Sequence, residues 1–240
     1  MNLSYEVLLV IGIYGFYIYD SIFLVYSNQI IFTESLGKWK FSFPSERYRL
    51  RDKFLFLPNI FMPYKAIFLQ TWPSQEKQFS SSNNNKQKIF LKALLPFRFF
   101  SVSIAVLVLL ALPFGIFFLG GSNQLLVILL SIYFLNLTLV TNLWLDRKNL
   151  NLTNKEIISI AIDVIACPPF AVNIVKKISL KMRSENSPIN FAHKHLSKKD
   201  VIIFNSILLA RVNESLNGSE SNPSWCEKLQ KFKKRIGIRL

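Results

Sequence analysis

The sequence predicts an α-helical integral membrane protein. It would have three transmembrane helices, the second and third a tight hairpin. A small cytoplasmic β-rich insertion would separate the first from the second, and cytoplasmic amphipathic helices would follow at the C-terminus. Three observations predict this. Of 240 residues, 51% hydrophobic with 22 Phe, the 47 from Phe99 to Leu145 include no Asp, Glu, Lys or Arg. One bilayer crossing takes only about 20 apolar residues. Residues 1–27 are also apolar and hold no Lys or Arg. The 29 basic residues fall into two blocks, 12 in residues 28–98 and 17 in residues 146–240. The uncharged run argues against a soluble protein, a collagen and a disordered chain.

Lys and Arg concentrate in cytoplasmic loops. Both basic blocks are therefore expected in the cytoplasm, with the N-terminus and the turn at 120–124 outside. The first crossing is expected from Tyr5 to Tyr26, the second from Phe99 to Leu119 and the third from Gln124 to Leu145, stopped by Asp146-Arg147-Lys148. The first is read as an uncleaved anchor: it lacks a basic n-region and an A-x-A site. Ile157–Val175 allows a fourth crossing, but Asp163, Pro168-Pro169 and basic flanks on both sides favour helices lying on or dipping into the inner face. The organisation is then 1–27 N-terminal transmembrane helix, 28–73 cytoplasmic β-rich region, 74–88 flexible polar linker, 89–145 transmembrane hairpin, and 146–240 cytoplasmic basic helical region. The composition, rich in Asn, Lys, Ile and Phe, fits a bacterial inner (cytoplasmic) membrane.

Within 28–73, Lys38-Trp39-Lys40-Phe41-Ser42-Phe43 alternates strictly, with the aromatics on one face. Arg47-Tyr48-Arg49-Leu50-Arg51 alternates too. Gly37, Pro44, Pro58-Asn59 and Pro63 mark breaks. Residues 74–88 are polar and too poor in apolar surface to offset ordering entropy. Past Leu145, Thr153 or Asn154 can cap a helix from Lys155 towards Cys167, and Pro168-Pro169 end it. In the next helix Ala171, Ile174, Val175, Ile178 and Met182 share one face, opposite Lys176, Lys177, Lys181 and Arg183. That is the form of a basic helix at a membrane surface. Ser197-Lys-Lys-Asp200 and Ser224-Trp-Cys-Glu227 are capping boxes. The second opens a tail with Trp225, Leu229, Phe232 and Ile236 at helical spacing and a basic remainder.

Few residues carry chemistry. His193 and His195 are the two histidines, too few for a metal site by themselves. Cys167 and Cys226 form no CxxC motif and are expected as reduced thiols. There is no Walker A, GxGxxG, HExxH or GxSxG signature. No cofactor and no metal are expected. Asp20, deep in the first apolar segment, needs a partner. Arg98 and Asn142 are the candidates, and an interhelical clamp is favoured over a proton relay, which would need a second deep ionisable group. Arg47, Arg49, Arg51 and Lys53 form one basic cluster. Lys176, Lys177 and Lys181 form a second, and Lys231, Lys234 and Arg235 belong to a third. Such clusters suit anionic lipid headgroups or phosphate.

The expected function is a multi-pass membrane protein, non-catalytic, with a basic cytoplasmic face that binds anionic lipid or a partner protein, or a second copy of the chain. Nucleic acid is disfavoured, since no nucleic-acid-binding motif accompanies the charge. The alternative is a membrane enzyme acting on a phosphorylated lipid, with Asp163, His193 and His195 as acid–base groups and the first arginine cluster holding phosphate.

Overall fold

The computed structural model describes residues 4–45, 48–51, 53–73, 82–118, 123–182, 187–218 and 223–238. The fold is mixed rather than the expected three-helix membrane fold: 69% helix with two sheets of three antiparallel strands. Among the described residues, two helical stretches are long and apolar enough to cross a membrane, Asn85–Phe118 and Asn123–Leu145. The expected first crossing is the point of failure. Helix α1 covers only Tyr5–Ser21, 17 residues. At 1.5 Å per residue it is about 26 Å long, short of the ~30 Å hydrocarbon layer. The apolar run continues past it, but Phe23–Tyr26 is strand β1. Hydropathy does not distinguish a buried strand from the end of a helix, and aromatic and β-branched residues favour the strand.

Among the described residues, six strands lie between α1 and α2. Strands β1 (Phe23–Tyr26), β4 (Arg49–Leu50) and β5 (Lys53–Phe56) form one sheet in the order β1-β5-β4. Strands β2 (Gln29–Ser35), β3 (Lys38–Ser42) and β6 (Ala66–Thr71) form the other, ordered β3-β2-β6. Thr33 of β2 stands opposite Lys40 on one side and Ile67 on the other. The period-2 pattern of Lys38–Phe43 becomes β3. Leu36 and Gly37 both adopt positive φ, 49° and 85°, as a two-residue hairpin loop requires. The Glu34 carboxylate accepts the Gly37 N–H at 2.6 Å and holds that turn.

Helix α2 (Ser82–Val106) starts inside the interval expected as a linker; of that interval, 74–81 lie outside the described residues. One stripe of it is buried, Gln87, Phe90, Leu94, Phe97, Ser101 and Ile104, with Arg98 beside it, and Val108 continues the series. Alternating steps of three and four place these on one stripe. The helix passes through a π-helical segment, Leu107–Ala111, into α3 (Leu112–Phe118). Pro113 explains the irregularity. It has no N–H for the Leu109 carbonyl and its ring crowds that carbonyl. The Tyr14 hydroxyl on α1 donates to the stranded Leu109 oxygen at 2.6 Å. Residues 119–122, most of the expected outer turn, lie outside the described set.

Helix α4 (Asn123–Leu145) packs antiparallel and buries Ile132, Asn136, Leu139 and Leu143. Thr153 and Glu156 form a capping box for α5 (Asn154–Ala166). That helix returns along α4, where Asn136 Nδ2 donates to the Val164 carbonyl at 3.2 Å. The prolines then start the one-turn helix α6 (Pro169–Val172) against α1 and α2, and Ser101 Oγ donates to Val172 O at 2.6 Å. Helix α7 (Ile174–Lys181) runs from there to β6, whose Ile67 N–H donates to Ser179 Oγ at 2.8 Å. Helices α8 (Pro188–His195), α9 (Lys198–Gly218) and α10 (Pro223–Ile238) complete the head around the second sheet. Trp72 and Phe232 stack at 6.5 Å to hold α10 against it.

One buried ion pair ties the long helix to this sheet: Arg98 on α2 donates to Glu34 on β2, and both are almost fully enclosed. Breaking such a pair leaves one uncompensated charge and costs about 3–5 kcal/mol, whereas replacing both partners with apolar groups is often nearly neutral. Arg98→Met alone and Glu34→Leu alone should each lower stability by about that amount. The double variant should recover most of the loss except the Glu34–Gly37 contact. Denaturant midpoints in mild detergent for the four proteins of this cycle measure it.

Candidate functional site

Polar groups collect where α1 ends and the sheets begin. Three α1 residues one turn apart are buried, Ile13, Tyr17 and Ser21, so one face of this helix is committed to the interior. Ser21 Oγ donates to Tyr17 O at 2.8 Å, and the Tyr17 hydroxyl donates to the Ile60 carbonyl. Opposite them, Asn173 joins α6 to α7 with its amide turned inward. Its Nδ2 donates to Asp20 Oδ2 at 3.0 Å and to Ser21 Oγ at 3.1 Å. Asp20 Oδ1 pairs with Lys177 at 3.1 Å, and Lys177 also reaches Asp163 at 3.6 Å. The Lys177 ammonium lies 4.7 Å from the Phe170 ring centre.

Asp20 is therefore held, but by neither expected partner. Arg98 is occupied by Glu34, and Asn142 Nδ2 donates to Thr138 O on its own helix at 2.8 Å. The clamp joins α1 to α5 and α7 rather than to α2 and α4.

Beside this cluster a cavity of about 250 Å³ opens between the two sheets. Its lining includes the polar Ser21, Thr33, Lys40, Lys65, Asn173 and Lys176 and the apolar Phe56, Leu57, Ile60 and Met62. Three lysines and no carboxylate are among its described lining residues. Lys176 is the innermost of them, only 5% exposed. Its ammonium donates to the main-chain carbonyl of Asp20. Burial pulls its pKa down from 10.5 to about 8; nearby Asp20 opposes the shift and Lys177 adds to it. The group is still mainly protonated at neutral pH, and a cation is kept in a place that disfavours it.

The remaining predicted residues scatter. Arg47 lies outside the described residues. Arg49 and Arg51 are exposed on the β4–β5 turn, where Arg49 Nε donates to Arg51 O at 2.8 Å. Lys53 lies 4.8 Å from the Tyr26 ring centre. Lys181 pairs with Glu156 at 3.6 Å. Helix α7 is an interior helix: Ile174, Val175, Lys176, Ile178 and Ser179 are all buried. On α10, Lys231 pairs with Glu227 at 2.5 Å, while Lys234 and Arg235 are exposed. The apolar face of α10, Leu229, Phe232 and Ile236, is buried in the core.

The acid–base candidates are not brought together. His193 is exposed on α8, and Asp163 faces Lys177. His195 lies between Trp39 and Phe191, each ring centre 4.6 Å away, with Nε2 3.3 Å from Gln87 Oε1. Burial first, and Lys194 second, lower its pKa from 6.5 to about 4. It is a neutral core ring at physiological pH.

Sequence reasoning missed Lys40, Lys65, Asn173 and Ser21 as members of one site. The one signal present was alternation in β3, which sets Lys40 on the face away from Trp39. No protein-family model, curated protein or solved structure matches this chain.

Two outcomes follow from these contacts. Because the unfolded chain binds a proton at His195 near pH 6.5 and the folded chain only near pH 4, stability from this group is full above pH 6.5 and falls as the pH drops through that window. His195→Phe should flatten the decline in urea midpoint between pH 7 and pH 4. At Asp20, the asparagine variant retains a hydrogen-bond acceptor for Asn173 and leaves Lys177 its contact with Asp163. Asp20→Asn should cost about 1–2 kcal/mol and Asp20→Leu about 3–5 kcal/mol in unfolding experiments.

Proposed function

We propose that this chain is a membrane-anchored, non-catalytic protein whose basic head sits on the cytoplasmic side of a bacterial inner membrane and holds anionic lipid headgroups. The helical hairpin of α2, α3 and α4 is the anchor. The observation that carries this reading is the outer surface of the hairpin. Leu110 is 64% exposed, Phe114 59% and Phe134 70%, and Leu126, Val127, Leu130 and Leu137 are similarly bare. A contiguous apolar surface of this extent marks contact with a membrane or another protein, and both helices have the length and hydropathy to cross a bilayer.

The charge distribution supports the orientation. With residues 99–145 as a hairpin, the two basic blocks, 28–98 and 146–240, fall on one side, as the positive-inside rule requires. The exposed bases of α10, including Lys228, Lys233, Lys234 and Arg235, form a fixed patch because the other face of that helix is committed to the core. Such a patch attracts anionic headgroups across the water layer without inserting. The enzyme reading is weakened because His195 is neutral at physiological pH, Asp163 pairs with Lys177, and His193 is exposed on α8.

Membranes from expressing cells, washed with alkaline carbonate, should retain the chain; its release would overturn the anchoring. A cysteine introduced at Lys233 should react with an impermeant maleimide only after lysis. Native nanodiscs should be enriched in anionic phospholipid. Changing Lys228, Lys233, Lys234 and Arg235 together to Gln should reduce that enrichment, and the residual effect should be less sensitive to salt.

A further inference from the structure

We propose that the cavity between the two sheets binds the phosphate group of a small phosphate ester, with Lys176 at its base and Lys40 and Lys65 nearer its mouth. This rests on the reading of the chain as a membrane-anchored binder of anionic lipid and assigns that binding a specific site. Four observations carry it. The first is charge. Three lysines line one cavity with no carboxylate among the described lining residues. An anion bound among them would be attracted by all three.

The second is the occupation of nearby acids. The Asp20 carboxylate is taken by Lys177 and Asn173. Lys176 hydrogen-bonds Asp20 at its main-chain carbonyl, with the Asp20 charge acting on it from nearby. An ammonium has three donors, so the innermost cation of the site has donors to spare for a ligand. Its lowered pKa agrees with this placement.

The third is the composition of the lining. Ser21, Thr33 and Asn173 add neutral polar groups to the lining, and Phe56, Leu57 and Ile60 add apolar ones. An anionic head attached to a short carbon unit matches both kinds. Small-molecule sites combine a mostly apolar lining with a few convergent polar groups in this way.

The fourth is size. A volume of about 250 Å³ is just under the roughly 300–1,000 Å³ range of sites for drug-sized ligands. At about 30 Å³ per water it holds roughly eight water-sized groups. That admits a phosphate with a three-carbon unit. Two sources offer this chemistry, a glycerophospholipid headgroup and a free phosphate ester.

The test uses the full chain in nanodiscs of phosphatidylcholine. Glycerol 3-phosphate and inorganic phosphate are titrated by calorimetry. In parallel, discs with part of the lipid replaced by phosphatidylglycerol are examined by native mass spectrometry for retained lipid. Lys65→Gln and Lys40→Gln alter partly or largely exposed side chains and leave the fold intact; Lys176→Met removes the buried cation. Each should weaken binding about ten- to a hundredfold, the loss of one charge-assisted hydrogen bond. Saturable binding of glycerol 3-phosphate identifies a free ester as a ligand. One tightly retained phosphatidylglycerol, lost in Lys65→Gln, identifies the headgroup. Absence of binding by both probes, or equal affinity in all three lysine variants, overturns the site. Carbonate release of a chain that still binds glycerol 3-phosphate would overturn the anchoring and leave the site standing.

Discussion

The Arg98–Glu34 ion pair is the contact on which the rest of the architecture depends. Arg98 is the last charged residue before 47 uncharged ones, and it sits part-way along the one helix that belongs to both the head and the hairpin. Glu34 lies on β2, the central strand of its sheet. Joining them fixes how far α2 slides along the sheet and which way it is turned. The same carboxylate closes the β2–β3 hairpin through Gly37. Helix register and hairpin geometry are thus set by one side chain. The arrangement is costly: Arg98 Nε and Nη1 lack hydrogen-bond partners among the described residues. A buried charge so incompletely satisfied stabilises little by itself. Its value is positional, because no apolar contact on α2 selects one register as sharply.

The second constraint is the length of α1. A helix long enough to span would have carried Asp20 and Ser21 past the head. A helix ending at Ser21 brings its last turn to the seam between apolar helices and sheets. There Tyr17, Asp20 and Ser21 meet Asn173, Lys176 and Lys177. The cavity lies on the same seam, so its polar lining is assembled from α1, β2, β3, the loop before β6 and the Asn173–Lys176 turn. Five pieces of chain supply a site that none of them holds alone.

That assembly explains what the sequence discloses. Local patterns are legible because local physics produces them. Alternation marks β3, a capping residue at Thr153 or Asn154 marks the start of α5, and the absence of charge marks the two long apolar helices. The boundary at Ser21 is not legible, since Ile22 to Tyr26 is as apolar as the helix before it. What ends the helix there is pairing of β1 with β5, some thirty residues downstream. Helix α7 is misleading for a related reason. Its alternating bases and aliphatics have the look of a surface helix, yet Lys177 and Lys181 are directed to Asp163 and Glu156 on α5 and Lys176 to α1. The sequence displays the lysines and conceals the acids that draw them inward. The site is the least legible element, because Lys40, Lys65 and Lys176 are separated by long stretches and none belongs to a motif.

The seam also constrains how the chain is made. The contacts that secure the end of α1 come from residues about 150 positions later: Asn173 is 152 residues from Ser21 and 153 from Asp20. At roughly 5–20 residues per second, a ribosome takes about 8–30 s to supply them. Throughout that interval the first helix has been synthesised, carries an acid at its inner end, and has no native partner for it. The inner end of α1 can therefore dock only after Asn173 and Lys177 are made, and truncation ahead of Asn173 would leave it without those contacts.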